Sequence, residues 1–127
     1  MSTTTIRFRT VLLIAGAALM GNPSHAQTAD PADPPKTWNS CAACHAAGGA
    51  ASIGPSLVGV LGRKAGSVPD FTYSKAMKSA NLVWDEESLK TFLTDPQSTV
   101  PGTRMAFPGI PDSRDLAELI QYLKTLK

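Results

Sequence analysis

The chain has 127 residues and carries 12 basic and 10 acidic side chains, giving a formal net charge of +2 at pH 7. This near balance excludes the dense basic face that nucleic-acid binding requires, so no nucleic-acid partner is predicted. The length predicts one domain.

The first 26 residues have the order of a cleaved secretory signal peptide. Arg7 and Arg9 precede the ten uncharged residues Val11–Met20, and small residues follow a helix-breaking proline up to Ala26. A membrane-spanning helix needs about 20 apolar residues, so stable membrane insertion is not expected. The predicted parts are a signal over residues 1–26, a flexible proline-rich leader over 27–35 and a domain over 36–127. Export across the inner membrane of a bacterium predicts a periplasmic protein.

The rest of the sequence predicts an all-α domain, because no segment alternates as a strand does. A short helix is expected around Cys41–His45, beginning near Pro34 or Pro35, since proline suits the first turn of a helix. Another turn or two is expected over Ser74–Ala80.

Two longer helices are marked by their caps and their apolar spacing. Asp85 is the expected N-cap of the first helix, which has acidic residues in its first turn and ends before Pro96. Asp112 or Ser113 is the expected cap of the second helix, in which leucines and Ile120 recur at helical spacing.

Long loops rich in glycine and proline, Gly48–Pro69 and Pro96–Pro111, join these helices. Loops of this length are uncommon in a small compact domain unless something fills the space that they enclose. A chain of about 100 residues also buries only a thin core. The sequence therefore indicates that a bound group supplies part of the core.

Both cysteines lie in the sequence Cys-Ala-Ala-Cys-His, which ends at His45. A closed zinc site needs about four ligands, and after signal cleavage only Cys41, Cys44 and His45 are available. A thiol–disulfide enzyme places C-x-x-C at a strand-to-helix junction, which this sequence lacks. C-x-x-C-H favours covalent attachment of haem c, with thioethers from the thiols and an axial nitrogen from the histidine. We therefore expect haem c and its iron, with disulfide exchange and zinc as the alternatives.

Iron held by one histidine needs a sixth ligand or stays open to small molecules. After signal cleavage, two methionines remain, Met77 and Met105. Met105 lies in a loop turned by Pro101 and Gly102, which can bring a thioether to the haem face opposite His45. Filling a gap in the core is the alternative role for either methionine. We predict His45 and Met105 as the metal ligands, and a soft thioether raises the reduction potential.

Several motifs occur in the order found in the class I cytochromes c, which this chain resembles. The motifs are CAACH, IGPSL, GRKAG, FTYSKAM, LVW and VPGTRMAF. The resemblance covers about Cys41–Lys127 and implies a small cytochrome c fold, with three to five helices and long loops wrapped around one covalent haem. It implies Cys41 and Cys44 as thioether anchors, His45 as proximal ligand and Met105 as distal ligand.

The resemblance also implies roles for four further residues around the haem. The Pro55 carbonyl is expected to accept a hydrogen bond from Nδ1 of His45, which makes the iron-bound nitrogen more basic. Arg63, Tyr73 and Trp84 are expected to hold the haem propionates, because all three side chains are hydrogen-bond donors. The alternatives are an ordinary turn at Pro55, a surface charge at Arg63 and core packing for the two aromatic residues.

The first helix departs from the family pattern. Pro34 and Pro35 shorten it, and after signal cleavage Trp38 is the only aromatic residue before the C-x-x-C-H motif. We expect Trp38 to pack against Ile120 or Leu123 of the last helix.

These observations predict a soluble monohaem electron carrier between respiratory or photosynthetic redox partners, not an enzyme. A monomer is expected to meet its donor and acceptor transiently, through a mostly apolar haem edge with few charges. The alternative is a haem-based ligand-binding or peroxidase-like protein with an open sixth position. Such a site needs a distal His or Arg and an unbound Met105, and His45 is the only histidine left after signal cleavage.

Overall fold

The computed structural model describes Met1 and residues 33–45 and 53–127. The predicted signal peptide beyond Met1, most of the leader and the first part of the first long loop lie outside the described residues. Across the described residues no helix is both long and apolar enough to cross a membrane.

Five helices and no strand occur within these described ranges, which confirms the all-α prediction. The helices are α1 (Trp38–Ala42), α2 (Lys75–Ser79), α3 (Glu86–Thr94), α4 (Pro96–Thr99) and α5 (Ser113–Thr125). The only bridge in these ranges is an isolated antiparallel one between Lys64 and Val83. It brings the loop that follows the C-x-x-C-H motif alongside the segment that precedes α3.

Helix α1 is shorter than the sequence indicated, and the predicted start near Pro34 or Pro35 was wrong. The Pro35 carbonyl accepts a turn hydrogen bond from the Trp38 backbone at 2.9 Å, and the helix begins only there. It ends at Ala42, so the second cysteine and the histidine of the motif lie beyond it. The His45 N–H still bonds the Cys41 carbonyl at 2.8 Å, which keeps the motif in a tight turn.

Helix α3 begins at the predicted cap. The Asp85 carboxylate accepts from the Ser88 backbone at 2.7 Å, and the Ser88 hydroxyl accepts from the Asp85 backbone at 3.0 Å. This reciprocal pair satisfies two of the donors that a helix start leaves unpaired.

The segment after α3 corrects one prediction. Residues from Pro96 onward were expected to form a loop, but Pro96 starts α4. Asp95 accepts from the Ser98 backbone at 3.0 Å and caps this short helix, in which proline occupies the first turn. Proline therefore both follows the end of α3 and begins the next turn of helix.

Helix α5 supplies much of the core. Asp112 caps it by accepting from the Arg114 and Asp115 backbones, each at 2.9 Å. Its inward face packs against α3. The buried residues on this face are Leu116, Leu119, Ile120 and Leu123.

Trp38 docks α1 against α5. Its ring lies edge-on to Tyr122, with centroids 4.9 Å apart and planes at 62°. Ile120 and Leu123, the partners predicted from the sequence, belong to the same buried core as Trp38. Aromatic rings prefer this edge-to-face geometry, which the apolar spacing of α5 does not reveal.

Candidate functional site

A cavity of about 670 Å³ lies between the loops and the inward faces of α3 and α5. Cofactor sites in proteins commonly have volumes of about 300–1,000 Å³ and mostly apolar walls. Phe92, Leu93, Leu119 and Leu123 form part of the wall. All eight site residues predicted from the sequence line this one cavity: Cys41, Cys44, His45, Pro55, Arg63, Tyr73, Trp84 and Met105.

The two cysteines reach the cavity from the end of α1. Cys41 is buried in the last turn, and its Sγ lies 3.7 Å from the Thr37 carbonyl oxygen. Burial raises the pKa of this thiol. Cys44 follows in the turn after the helix and is half-buried. The i, i+3 spacing therefore presents both sulfur atoms to the same cavity.

His45 is buried, with one ring nitrogen held by the backbone. Its Nδ1 lies 2.7 Å from the Pro55 carbonyl oxygen, so the predicted contact is present. A carbonyl oxygen only accepts, which means that Nδ1 carries the proton and donates it. The lone pair is then on Nε2, the nitrogen available to a metal.

Gly54 forms the seat of the imidazole, a role that the sequence analysis did not assign. A Cβ at this position would lie 2.6 Å from Cε1 and 2.8 Å from Nδ1 of His45, so only glycine leaves room for the ring. The Gly54 N–H also bonds the Cys44 carbonyl at 2.7 Å, which fixes the two segments together. The Gly-Pro pair in the sequence was a signal for this close approach.

Arg63 lines the cavity, and its guanidinium donates hydrogen bonds to two backbone carbonyls. Nη2 bonds the Ser56 carbonyl at 2.7 Å, and Nη1 bonds the Val58 carbonyl at 2.9 Å. Burial lowers the pKa of Arg63, and its interaction with Tyr73 partly offsets this. A guanidinium has five N–H donors, so other donors remain for a further acceptor.

Tyr73 and Trp84 stand beside Arg63 in the cavity wall. Burial raises the pKa of Tyr73, while a hydrogen bond from the Val68 backbone and the charge of Arg63 act in the opposite direction. The Trp84 ring is buried, with its centroid 5.0 Å from that of Phe92. The structure thus brings the three predicted propionate-binding residues together.

Met105 lies in a loop that polar side chains hold in place. Its backbone N–H bonds the Thr103 hydroxyl at 3.3 Å. Gln97 Nε2 donates to the carbonyls of Met105 and Thr103, at 3.3 and 3.4 Å. The sequence analysis identified neither Gln97 nor Thr103 as a support, because these contacts depend on where α4 places its side chains.

Met77 lines the same cavity from α2 and is buried. Its backbone N–H bonds the Ser74 hydroxyl at 3.1 Å, which caps the helix. The cavity therefore holds two thioethers, one on a helix and one in a braced loop.

The residues present fit a large apolar cofactor with one strong nitrogen ligand. One apolar space is lined by two cysteine thiols, two methionine side chains and a histidine whose Nε2 lone pair is available to a metal. A model of the family described as Cytochrome c matches residues 35–127. The chain belongs to the cytochrome c family.

Relatives of this cytochrome c occur in several organisms. It is 46% identical to cytochrome c2 of Rhodoblastus acidophilus over 100 residues, and this match covers 77% of this chain and 94% of the relative. Over 116 residues it is 40% identical to cytochrome c2 of Rhodomicrobium vannielii, covering 90% of this chain and 93% of the relative. The solved structure of cytochrome cH from Methylobacterium extorquens is 44% identical with a TM-score of 0.67, covering 71% of this chain and 92% of that one.

These findings confirm the predicted family, fold and cofactor. The cytochrome carries haem c, with its iron, attached covalently. It is a monohaem electron carrier that works with redox partners and is not an enzyme.

Proposed function

We propose that the chain is an electron carrier in which His45 and Met105 are the two axial ligands of the haem iron. Cys41 and Cys44 form the two thioether bonds. The observation that carries this proposal is the single apolar cavity that all four side chains line. The hydrogen bond from His45 Nδ1 to Pro55 supports it, because that bond leaves Nε2 as the metal-binding nitrogen.

When bound, the haem supplies an iron that gains and releases one electron. The chain holds the ligands at fixed positions: Gly54 and Pro55 seat the His45 ring, and Thr103 and Gln97 brace the Met105 loop. Such bracing keeps the ligand geometry similar in both oxidation states. The apolar wall excludes water and, with a thioether ligand, favours the reduced state.

Three donors receive the haem propionates in this proposal. Arg63, Tyr73 and Trp84 line one cavity and carry a guanidinium, a phenol and an indole N–H. Carboxylates taken out of water need hydrogen-bond donors or a cation, because an unpaired buried charge is costly.

Met105, rather than Met77, is the proposed sulfur ligand because its loop is held by hydrogen bonds on both sides of the residue. Replacing Met105 by alanine is expected to abolish the far-red absorption band that methionine gives with ferric iron. It should also let carbon monoxide bind the reduced protein.

Met77→Leu serves as the matched control, and it is expected to keep the band and to exclude carbon monoxide. The opposite pattern would assign the ligand to Met77. Rapid binding of carbon monoxide by the unaltered protein would instead support a site with an open sixth position.

The cavity mouth is the proposed meeting point with the redox partners. The residues that line the cavity and are exposed are Ser40, Ile53, Thr72, Arg104 and Ala106. This set carries one charge, that of Arg104, so long-range electrostatic steering of a partner is weak. We expect a monomer that meets its donor and acceptor briefly through this nearly neutral surface.

The partner proposal predicts a weak dependence of electron-transfer rate on salt. Between low and physiological ionic strength, the second-order rate with an isolated redox partner should change by about two-fold or less. Stopped-flow absorbance measures this rate, and a steep fall with added salt would contradict the proposal.

Periplasmic location follows from the proposed signal peptide. Fractionation of the producing bacterium, with N-terminal sequencing of the haem-containing product, should find the chain in the periplasm, beginning at Gln27. A product that retains residues 1–26 would contradict this cleavage.

A further inference from the structure

The side chain of Gln97 ties α4 to the loop that carries Met105. Its Nε2 donates to the Met105 carbonyl at 3.3 Å and to the Thr103 carbonyl at 3.4 Å. A carbonyl oxygen only accepts, so the amide directs its N–H groups at this loop. One of the two acceptors belongs to the residue whose thioether is the proposed sulfur ligand.

Gln97 is itself exposed, so its position depends on the short helix that carries it. Asp95 binds the start of α4 through both carboxylate oxygens, which accept from the Ser98 backbone at 3.0 Å and from the Ser98 hydroxyl at 2.6 Å. The Asp95 carbonyl also accepts from the Thr99 hydroxyl at 2.8 Å. A helix of four residues has little stability of its own, because helix nucleation costs more than so few hydrogen bonds return. Helix α4 therefore depends on Asp95 to hold Gln97 beside the loop.

Other hydrogen bonds shape the Met105 loop without involving α4 side chains. The Thr103 N–H bonds the Val100 carbonyl at 2.9 Å, and the Met105 N–H bonds the Thr103 hydroxyl at 3.3 Å. Both of these bonds lie within the loop. Arg104 donates to the Thr72 carbonyl and ties the loop to a different segment. Removing the Gln97 amide therefore releases the loop from α4 while its internal shape is kept.

We propose that Asp95 and Gln97 form a latch on the Met105 loop: Asp95 fixes α4, and Gln97, carried by α4, slows the release of the Met105 sulfur from its metal. Both are positioning residues, because Gln97 acts through the loop backbone and Asp95 acts through Gln97. When the latch is open, the loop moves away more often, and a small external ligand reaches the sixth position sooner. This inference rests on the proposed function, in which Met105 is an axial ligand.

The test follows the binding of imidazole to the haem-loaded, oxidised protein. Imidazole takes the sixth position only after Met105 has left it, so at saturating imidazole the observed rate equals the rate of Met105 release. Stopped-flow absorbance measures this rate from the loss of the far-red band. The variants are Gln97→Ala, Asp95→Ala and the two combined. Gln121→Ala is the matched control, because it removes the amide of an exposed glutamine on α5 that is remote in sequence from the loop.

Gln97→Ala should raise the saturating rate by about three-fold or more, as expected for the loss of a hydrogen bond of average strength. Asp95→Ala should raise it as well, but should add little when Gln97 is already alanine, because residues that act through one contact are not additive. Asp95→Asn should keep the unaltered rate, since asparagine caps a helix as well as aspartate. Gln121→Ala should leave the rate unchanged.

Two results would overturn the latch. An unaltered rate in Gln97→Ala would show that the amide does not hold the loop. Fully additive effects of Asp95→Ala and Gln97→Ala would show that Asp95 does not act through Gln97.

A measurement on the unaltered protein keeps the proposal testable if the variants do not fold. In the reduced protein, NMR should find that the Nε2 protons of Gln97 exchange with solvent more slowly than those of Gln121. Equal exchange would overturn the latch and leave the proposed Met105 ligation standing, because the far-red band of the unaltered protein tests that ligation independently. A missing band would refute the ligation, whatever the exchange rates of the two glutamines.

Discussion

The close contact between Gly54 and His45 provides a direct test of how the protein holds the proposed iron ligand. Gly54→Ala adds one methyl group, whose carbon would lie 2.6 Å from Cε1, 2.8 Å from Nδ1 and 3.0 Å from Nε2 of the imidazole. Ordinary van der Waals contact begins at 3.4 Å, so the ring or the loop must move by about 0.8 Å. The Nδ1 hydrogen bond to Pro55, now 2.7 Å long, cannot keep its geometry through such a shift.

The expected cost of Gly54→Ala has two parts. Overpacking a filled site costs about 1–3 kcal/mol. Losing a hydrogen bond adds about 0.5–1.5 kcal/mol. A total of roughly 2–4 kcal/mol in a domain of this size lowers the melting temperature by at least about 8 °C.

Gly59→Ala is the matched control for this substitution. Gly59 has φ of +64°, and a Cβ there would have no heavy atom within 4 Å. Alanine at Gly59 therefore brings only the strain of left-handed backbone, about 1–2 kcal/mol, with no contact to the haem-binding motif. It should lower the melting temperature but leave the haem absorption spectrum unchanged.

The assay for Gly54→Ala combines thermal unfolding with the spectrum and the NMR signal of the His45 Nδ1 proton. We expect a lower melting temperature together with a shifted or rapidly exchanging proton signal. An alanine variant with the same melting temperature and the same proton signal as the unaltered protein would refute the steric argument.

Two further predictions concern packing and charge in the helices. Trp38→Ala should destabilise the protein by about 3–5 kcal/mol, measured by denaturant unfolding, because the ring is buried. A double-mutant cycle with Tyr122→Ala should assign about 0.5–1.5 kcal/mol of that free energy to the ring pair. A cycle with no coupling energy would contradict the contact. Glu86 pairs with Lys124 of α5, and that interaction holds the pKa of its carboxyl below the usual range. A carboxyl whose pKa is lower in the folded state than in the unfolded state adds stability above the unfolded pKa, and this stability is lost as the pH falls. Glu86→Gln should therefore make the melting temperature fall less steeply as the pH is lowered. Glu87→Gln should not have this effect.

The sequence predicted the caps and the covalent motif because those signals are local. Asp85 and Asp112 each bond backbone donors two or three residues away, so a single stretch of chain contains the whole interaction. The chemistry of C-x-x-C-H is likewise written in five consecutive residues. The contact between His45 and Pro55 was reached only through resemblance, since ten residues separate the two groups.

The features that the sequence did not predict depend on contacts between distant segments. Gln97 supports the Met105 loop only because α4 turns the chain, and Pro96 alone was taken as the end of a helix. Arg63 was assigned to the propionates through the family resemblance, whereas the acceptors that its guanidinium contacts are backbone carbonyls, which no side-chain pattern reveals. Gly54 carries no side chain, so its packing against His45 leaves no mark in a hydrophobic pattern.

The apolar face of α5 shows why periodicity alone was insufficient. Leu119 and Leu123 line the cavity, while Tyr122, on a neighbouring part of the helix surface, receives Trp38 of α1. Spacing places the leucines on one inward face but does not separate residues that touch the cofactor from residues that touch another helix. Because α1 also carries Cys41, the helix with one of the proposed thioether anchors is docked on a helix that forms part of the cavity wall. Loosening the Trp38 contact should therefore destabilise the wall of the haem cavity as well as the protein core.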